Sequence, residues 1–371
     1  MQPQFLQHAD IPKLKEEHPE LFMDDRIDLA LDELFDIAHP EKKDTKTQEE
    51  VEEYGRQLTG DQPEGWGSWV YYPWLNRLVH IPPKAEFRSL RTSRNRNLIT
   101  AEEQHKLYGA TILIIGMSVG SNVVEALVSQ GVGGKLVLVD MDTIEPSNLN
   151  RIRSPYHHIG LHKVEAISRK VWEIDPYLEI VGYHDGISEE NLPTILDDHH
   201  VDIVIDEMDE LRMKILLRET ARQRQLPVIM AADDGDDSLL DIERYDQGAT
   251  EMFGGRIPAD VLERIKNQQL SRPEIGAAIG KYFVGPEHIP LRMYQSLGEV
   301  GKTLPSWPQL GGAAALSGVA LTYVARKIIL GEKVKDGRQL ISLDEKLDLE
   351  KHDENYQHQI AELRQRMEGG Q

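Results

Sequence analysis

The sequence predicts an α/β protein built on a Rossmann-like, doubly wound, mostly parallel sheet, with a C-terminal extension and a small N-terminal accessory domain. Three observations predict it. From Ala110 onward, short β-branched apolar runs alternate with amphipathic helical stretches, as in a parallel sheet covered by helices on both faces. The first run ends in a glycine turn that opens a helix, Gly116-Met-Ser-Val-Gly120. The second ends at Asp140, 24 residues after Gly116, where an acidic side chain can accept hydrogen bonds from ribose hydroxyls.

Composition bounds the rest. The chain has 371 residues, 40% of them hydrophobic, which is enough for one large or two medium domains with a sizeable core. Lys and Arg total 42 against 63 Asp and Glu, a formal charge of −21 that argues against general affinity for nucleic acid or anionic membranes. No cysteine is present, which removes disulfides, Cys-ligated zinc and thiolate nucleophiles together. Residues 1–13 have no apolar signal-peptide core, and the most apolar run, Gly311–Leu330, contains Gly311, Gly312, Gly318, Arg326 and Lys327. It reads as a buried helix, and the expected location is cytoplasmic.

Along the chain, residues 1–100 form the accessory domain. Ile27, Leu31, Leu34 and Ala38 share a helical face before Pro40. The charged stretch Glu41–Glu53 reads as a loop or solvated helix. Trp66, Trp69 and Trp74 then cluster in a segment whose "SWVYYPWLNRLVHIP" suggests a short hairpin. It belongs either to an accessory core or to a substrate-recognition surface.

Residues 101–335 form the nucleotide-binding domain. Strands are predicted at Thr111–Ile115, Lys135–Val139, Leu178–Val181, Val201–Ile205, Pro227–Ala231 and Ser238–Tyr245, with helices at Val119–Gln130, Leu161–Trp172, Ser188–Leu196 and Glu210–Arg224. After Tyr245 a Gly/Pro-punctuated segment leads to the Gly311–Leu330 helix. Residues 336–371 read as a helical tail in which Tyr356, Ile360, Leu363 and Met367 have heptad-like spacing, for packing or dimerisation. The terminal Gly369-Gly370-Gln371 reads as a frayed end.

The strand, glycine turn and helix over "TILIIGMSVGSNVVEALVSQG" would aim free backbone N–H groups and a positive dipole end at a phosphate. Gly116-Met-Ser-Val-Gly120 departs from the full G-x-G-x-x-G, with Ser118 where close approach favours glycine. The continuation is more specific: "VDMDTIEPSNLNR", then "GLHKVEA", then "VDIVIDEMDE". In these blocks, over about residues 111–245, the chain resembles the ThiF/MoeB family, the adenylyltransferase fold of the ubiquitin-activating enzymes, with a looser likeness through a ThiF-type C-terminal extension to Gly331. The resemblance implies that ATP and Mg2+ are used to join a carboxylate to AMP. It implies that Gly116 and Gly120 bring the backbone close to ATP and that Asp140 holds the ribose. Asn148 and Arg151 fall where the family contacts the triphosphate, Lys163 matches its phosphate-binding lysine, Asp209 matches the carboxylate that positions magnesium, and Asp142 is an accessory ligand.

These residue types suit the chemistry. A carboxylate attacking the α-phosphate brings one anion to another, so cations must offset the charge that builds on the reacting phosphorus and the departing pyrophosphate. Arg151 offers a bidentate fork and Lys163 a point charge. Asp209 offers a hard oxygen ligand. Taken singly, Arg151 and Lys163 also admit a reading as surface charges, Asp140 as a turn cap and Asp209 as a helix N-cap, and their joint order argues against it. The family often supplies an arginine from a neighbouring subunit over the phosphates, for which Arg94 and Arg96 stand in roughly the right place, Arg96 preferred. That would make the active unit a homodimer. The acidic turn Asp233-Asp234-Gly235-Asp236-Asp237 reads as solvated, or as a site for a second metal or a basic substrate group. His157, His158 and His162 read as surface residues.

The chain departs from the family in lacking both a catalytic cysteine and two C-x-x-C pairs. A thioester relay within this chain is therefore excluded, and no zinc is expected. The acyl-adenylate would pass to an amine, a partner's thiol or a nucleophile within the substrate. The expected substrate is the carboxyl terminus of a peptide or small protein, or a small carboxylic acid. No nucleic-acid or membrane partner is expected. An NAD(P)-dependent oxidoreductase would share Gly116, Gly120 and Asp140 but has no need of Arg151, Lys163 and Asp209. A non-catalytic nucleotide-binding scaffold is the other alternative.

Overall fold

The computed structural model describes residues 2–60, 63–347 and 354–368. The chain divides into two compact units, the first made of residues up to His105 together with Ser168–Leu178, the second of Lys106–Ile167 and Glu179 onward. The first unit thus recruits an internal segment that a boundary near residue 100 does not anticipate.

In the first unit, β1 (Gln4–Leu6), β2 (Phe22–Asp25), β3 (Ser68–Tyr72) and β4 (Arg77–Ile81) form a sheet in the order β1-β3-β4-β2. The tryptophan-rich segment is the β3–β4 antiparallel hairpin. Trp69 stacks on His80 at 4.4 Å and joins Ile11, Leu14, Tyr71 and Leu78 in the core. The helices are α1 (Ile11–Glu17), α2 (Ile27–Ala38), α3 (Gln48–Thr59) and α4 (Lys84–Thr92). Ile27 and Leu34 of the α2 apolar face are buried. The charged stretch after it resolves as α3, whose Thr47 and Glu50 cap each other's backbone amides.

The second unit holds a seven-stranded sheet of β5 (Thr111–Ile115), β6 (Lys135–Val139), β7 (Glu179–Tyr183), β8 (Ile203–Asp206), β9 (Val228–Asp234), β10 (Asp237–Glu243) and β11 (Gly337–Ile341), in the order β11-β10-β9-β8-β5-β6-β7. The pairs from β9 to β7 are parallel, whereas β10 and β11 are antiparallel additions. Every residue of β5 is buried, as a central strand covered on both faces requires. Its helices include α6 (Val119–Ser129), α8 (Asn191–Asp198) and α9 (Leu211–Gln223), while the residues of α5 (Ala101–Gly109) and α7 (Lys163–Ile174) are divided between the two units. Leu113, Ile115, Val137, Val139, Val204 and Val228 face α8 and α9 through Leu192, Ile195, Leu196, Leu217 and Ala221.

Beyond β10 the unassigned segment forms α10 (Ala259–Lys266), α11 (Arg272–Ala278) and α12 (Leu291–Leu297), and α13 (Gly311–Leu330) follows as expected. By length and composition α13 is long enough to cross a membrane, yet Ala314, Leu321 and Ala325 are fully buried as it packs on α6, β9 and β10. Residues 336–371, expected to be helical throughout, open instead with β11. Its sequence GRQLI is too short and mixed to declare a strand, and pairing with β10 supplies the structure. The tail then forms α14 (Leu343–Leu347) and α15 (Glu354–Glu368). Tyr356, Ile360 and Leu363 pack against Ile289, Leu291, Met293 and Tyr294, which makes α15 a packing helix. The Met367 side chain and Gly369-Gly370-Gln371 lie outside the described residues.

Candidate nucleotide site

The chain order β8-β5-β6 reverses direction at β5, so the loops after β5 and β8 diverge and leave a crevice at the carboxyl edge of the sheet. Gly116 leaves β5 with φ +91°, and a Cβ there would lie 2.3 Å from the Glu207 carbonyl oxygen of the next loop. Only glycine meets both demands. A Cβ on Gly120 would sit 3.2 Å from Ile114 Cγ2, so small size at this position lets α6 start close against the sheet.

Asp140, at the end of β6, ties the turn together. Its Oδ2 accepts from Met117 N at 2.6 Å and its Oδ1 from Asp142 N at 2.8 Å. Lys163, at the start of α7 and largely buried, donates to Asp142 Oδ2 at 2.7 Å and lies 3.9 Å from Asp140 Oδ1. Arg151 reaches back across the same turn, donating from Nε to Ser118 Oγ at 2.8 Å and from Nη1 to Asn150 Oδ1 at 3.0 Å. The serine that spoils the glycine pattern is thus the residue on which the guanidinium rests. Asn148 is buried, and its Oδ1 accepts from Glu145 N at 3.1 Å, which fixes the Pro146–Asn150 turn that delivers Arg151.

Asp209 stands exposed in the loop after β8. It is not the helix cap: Glu210 is, accepting from Arg212 N and Met213 N at 3.1 and 2.6 Å. No group of three or more metal-ligating side chains occurs among the described residues. A single exposed carboxylate is compatible in kind with Mg2+, which binds through one or two carboxylates with phosphate and water completing its shell. Arg96 is exposed in the first unit, just past the Ser93–Asn95 turn. His158 meets Ser154 Oγ at 3.0 Å, and the His162 ring lies 4.9 Å from that of His184.

Asp233, first residue of the acidic turn that the sequence read as solvated or as a site for a metal or basic group, ends β9 and shares its field with Asp209 and Arg151. Two further residues, Gln309 and Glu207, escaped sequence reasoning. Gln309, just before α13, donates to Asp233, and only folding brings positions 76 residues apart together. Glu207, part-buried, accepts from Ala231 N at 2.8 Å. Burial raises its carboxyl well above the ordinary 4.5; Ala231 and Lys214 oppose the rise, and Asp206 and Asp233 add to it. A raised acid favours the fold most at low pH, and that contribution falls away as pH climbs above 4.5 toward the folded value. Glu207→Gln keeps an acceptor for Ala231 and removes the buried charge. Its unfolding midpoint is expected to exceed wild type by a few degrees at pH 7, and the gap to close toward pH 4.5; a gap independent of pH would refute this.

Below the crevice lies a buried ion network. Arg218, wholly buried, donates to Asp206 Oδ2 at 2.6 Å and to Glu243 Oε2 at 2.7 Å, with its guanidinium 4.0 Å from the centre of the Phe253 ring. Asp206 Oδ1 also takes Lys214 Nζ at 3.1 Å and Met208 N at 3.3 Å, so the network supports the loop bearing Asp209.

The ThiF family model matches residues 92–238. An uncharacterized Mycobacterium tuberculosis protein is 36% identical over 284 residues, 76% of this chain and 38% of that one. The tRNA threonylcarbamoyladenosine dehydratase of Bacillus subtilis is 32% identical over 139 residues, 37% of this chain and 54% of that one. The chain therefore spans about half or less of the length of these relatives. Among solved structures, the Escherichia coli tRNA N6-threonylcarbamoyladenosine dehydratase in complex with AMP is similar with a TM-score of 0.48 and 19% identity, over 66% of this chain and 95% of that one. The glycine turn, the Ser-Asn-Leu-Asn-Arg block and the acidic loop all fall within residues 92–238, the part of this chain that matches the ThiF family model.

Proposed function

We propose that this protein adenylates a substrate carboxylate with ATP and Mg2+, releasing pyrophosphate. The observation that carries the reading is Arg151 Nε on Ser118 Oγ at 2.8 Å, which sets a cation beside the free N–H end of α6. That pairing suits a polyphosphate. Asp140 would accept from the ribose, with Asp142 as accessory ligand, and Gly116 and Gly120 would admit the nucleotide close to the backbone. Asn148 serves by shaping the turn under the phosphates. Lys163, held by Asp142 and Asp140, would turn to the phosphates as their charge arrives.

The carboxylate oxygen attacks the α-phosphorus, the bond to the bridging oxygen breaks, and pyrophosphate leaves with that electron pair. Arg151 and Lys163 offset the growing charge. Mg2+, when bound, neutralises phosphate oxygens and would be held through Asp209. With no cysteine in the chain, the acyl group passes directly to an amine, a partner's thiol or a nucleophile in the substrate. The substrate is a peptide or small-protein carboxyl terminus or a small acid, the active unit a homodimer with Arg96 reaching the partner's phosphates, and the setting the ATP-rich cytoplasm.

The test is ATP–[³²P]pyrophosphate exchange with magnesium and pooled carboxylates. Exchange that depends on one pool and falls about 10²–10³-fold in Asp209→Asn is expected. No exchange and no ATP binding by calorimetry would overturn the proposal.

A further inference from the structure

Asp233 ends β9 at the carboxyl edge of the sheet, where β10 turns back. Its carboxylate is part-buried, and Gln309 Nε2 is its side-chain donor, at 3.4 and 3.2 Å from the two oxygens. Among the described residues no cation lies within ion-pair distance of it. Arg151, whose charge acts on Asp233, is already bonded to Ser118 and Asn150.

A chain of contacts joins Asp233 to the phosphate end of the site. Arg151 Nη1 donates to Asn150 Oδ1 at 3.0 Å, Asn150 Nδ2 donates to the Gln309 carbonyl oxygen at 2.8 Å, and the Gln309 amide reaches Asp233. The segment is seated firmly, because a Cβ on Gly311 would lie 2.3 Å from the Asn150 carbonyl oxygen. Asp233 is therefore one amide away from the turn that carries Arg151.

A half-hidden carboxylate answered by a neutral amide lacks the partner that would repay its desolvation. Burial holds its carboxyl above the ordinary range, Asp209 adds to the rise, and Gln309 and Arg151 oppose it. An anion is the wrong occupant beside it, yet the substrate must bring its own carboxylate to the phosphate end. A zwitterion satisfies both: carboxylate toward ATP, ammonium toward Asp233. We infer that Asp233 is a specificity-determining residue that selects a carboxylate carrying an ammonium group a few bonds from its carboxyl, the chemistry of a free α-amino acid. This rests on the adenylation proposed above.

The experiment measures pyrophosphate exchange with a pool of free α-amino acids bearing uncharged side chains, and with their N-acetyl counterparts, in wild type and Asp233→Asn. Asparagine keeps an acceptor for Gln309 and removes a charge whose burial is unrepaid, so an unfolding midpoint at pH 7 no lower than that of wild type is expected. Wild type should favour the free pool by about tenfold or more, because a site built for a polar partner rejects the analogue lacking it. Asp233→Asn should erase that preference by raising KM for the amino acid, with KM for ATP unchanged. Equal exchange with the acetylated pool, a preference that survives Asp233→Asn, or no exchange with either pool overturns the inference. Exchange with other carboxylates would sink this inference alone; absence of both exchange and ATP binding sinks the adenylation reading itself.

Discussion

Arg218→Ala is expected to lower the unfolding free energy by about 3–5 kcal/mol, the effect of removing one partner from a buried ion pair. Two carboxylates depend on this one guanidinium: Asp206, fully buried, and Glu243, also buried. Burial pushes the Asp206 carboxyl up, but Lys214 and Arg218 outweigh it and hold it below its ordinary value of 3.8. Without Arg218, Asp206 keeps Lys214 at 3.1 Å, whereas Glu243 keeps, among the described residues, the Tyr245 hydroxyl at 2.8 Å and Phe253 N at 2.6 Å as its hydrogen-bond donors. The Phe253 ring also loses its cation.

Urea denaturation at pH 7 checks the magnitude. A triple replacement by Arg218→Met, Asp206→Leu and Glu243→Leu removes all three charges and is expected to recover most of the loss, since hydrophobic substitutes for buried ion networks are often neutral or better. If Arg218→Ala costs under about 1 kcal/mol, the typical value of a surface pair, the network is not the anchor described. The depressed Asp206 pKa adds a sign: its stabilisation is present above pH 3.8 and lost as pH falls through the lower folded value, so the wild-type advantage over Arg218→Ala should shrink in strong acid.

Arg151→Ala is expected to slow pyrophosphate exchange by about 10²–10³-fold, the usual effect of deleting one donor aimed at transition-state charge. The loss should appear in kcat more than in KM for ATP, because charge on the reacting phosphate grows after binding. Arg151→Lys should recover only part of it: an ammonium restores the charge but not the fork that meets Ser118 through Nε and Asn150 through Nη1. Ser118→Ala, which removes the rest for Nε, is expected to cost less than Arg151→Ala and to act in the same direction. An Arg151→Ala enzyme with unaltered exchange would remove the arginine from the chemistry and leave it as a clasp on the glycine turn.

The central sheet was legible because its physics is local. A parallel strand buried on both faces must be apolar throughout, and "TILII" and "KLVLV" say so within five residues each. The glycine turn and Asp140 were legible for a related reason: each lies directly at a strand end, so spacing along the chain mirrors spacing in the crevice. The Ser-Asn-Leu-Asn-Arg block, further from its strand, was legible through the family resemblance. β11 was not legible, since its strand character comes from pairing with β10 about a hundred residues earlier. Nor was the purpose of Ser118, which looks like a flaw in a glycine motif until Arg151, 33 residues on, rests on it. The sequence offered Asp209 as the cap of a helix beginning at Glu210, whereas in the structure the helix begins one residue later and Glu210 is the cap. The sequence alone determined the fold class, the glycine turn at the carboxyl edge of the sheet and the lack of a thiol in this chain, because those follow from hydrophobic period, local turn geometry and composition. Tertiary structure alone decided which charges stand together. Asp206, Arg218 and Glu243 below the site, and Arg151, Asn150, Gln309 and Asp233 around it, come from separate elements, and electrostatic energy depends on distance through space and burial rather than on separation along the chain.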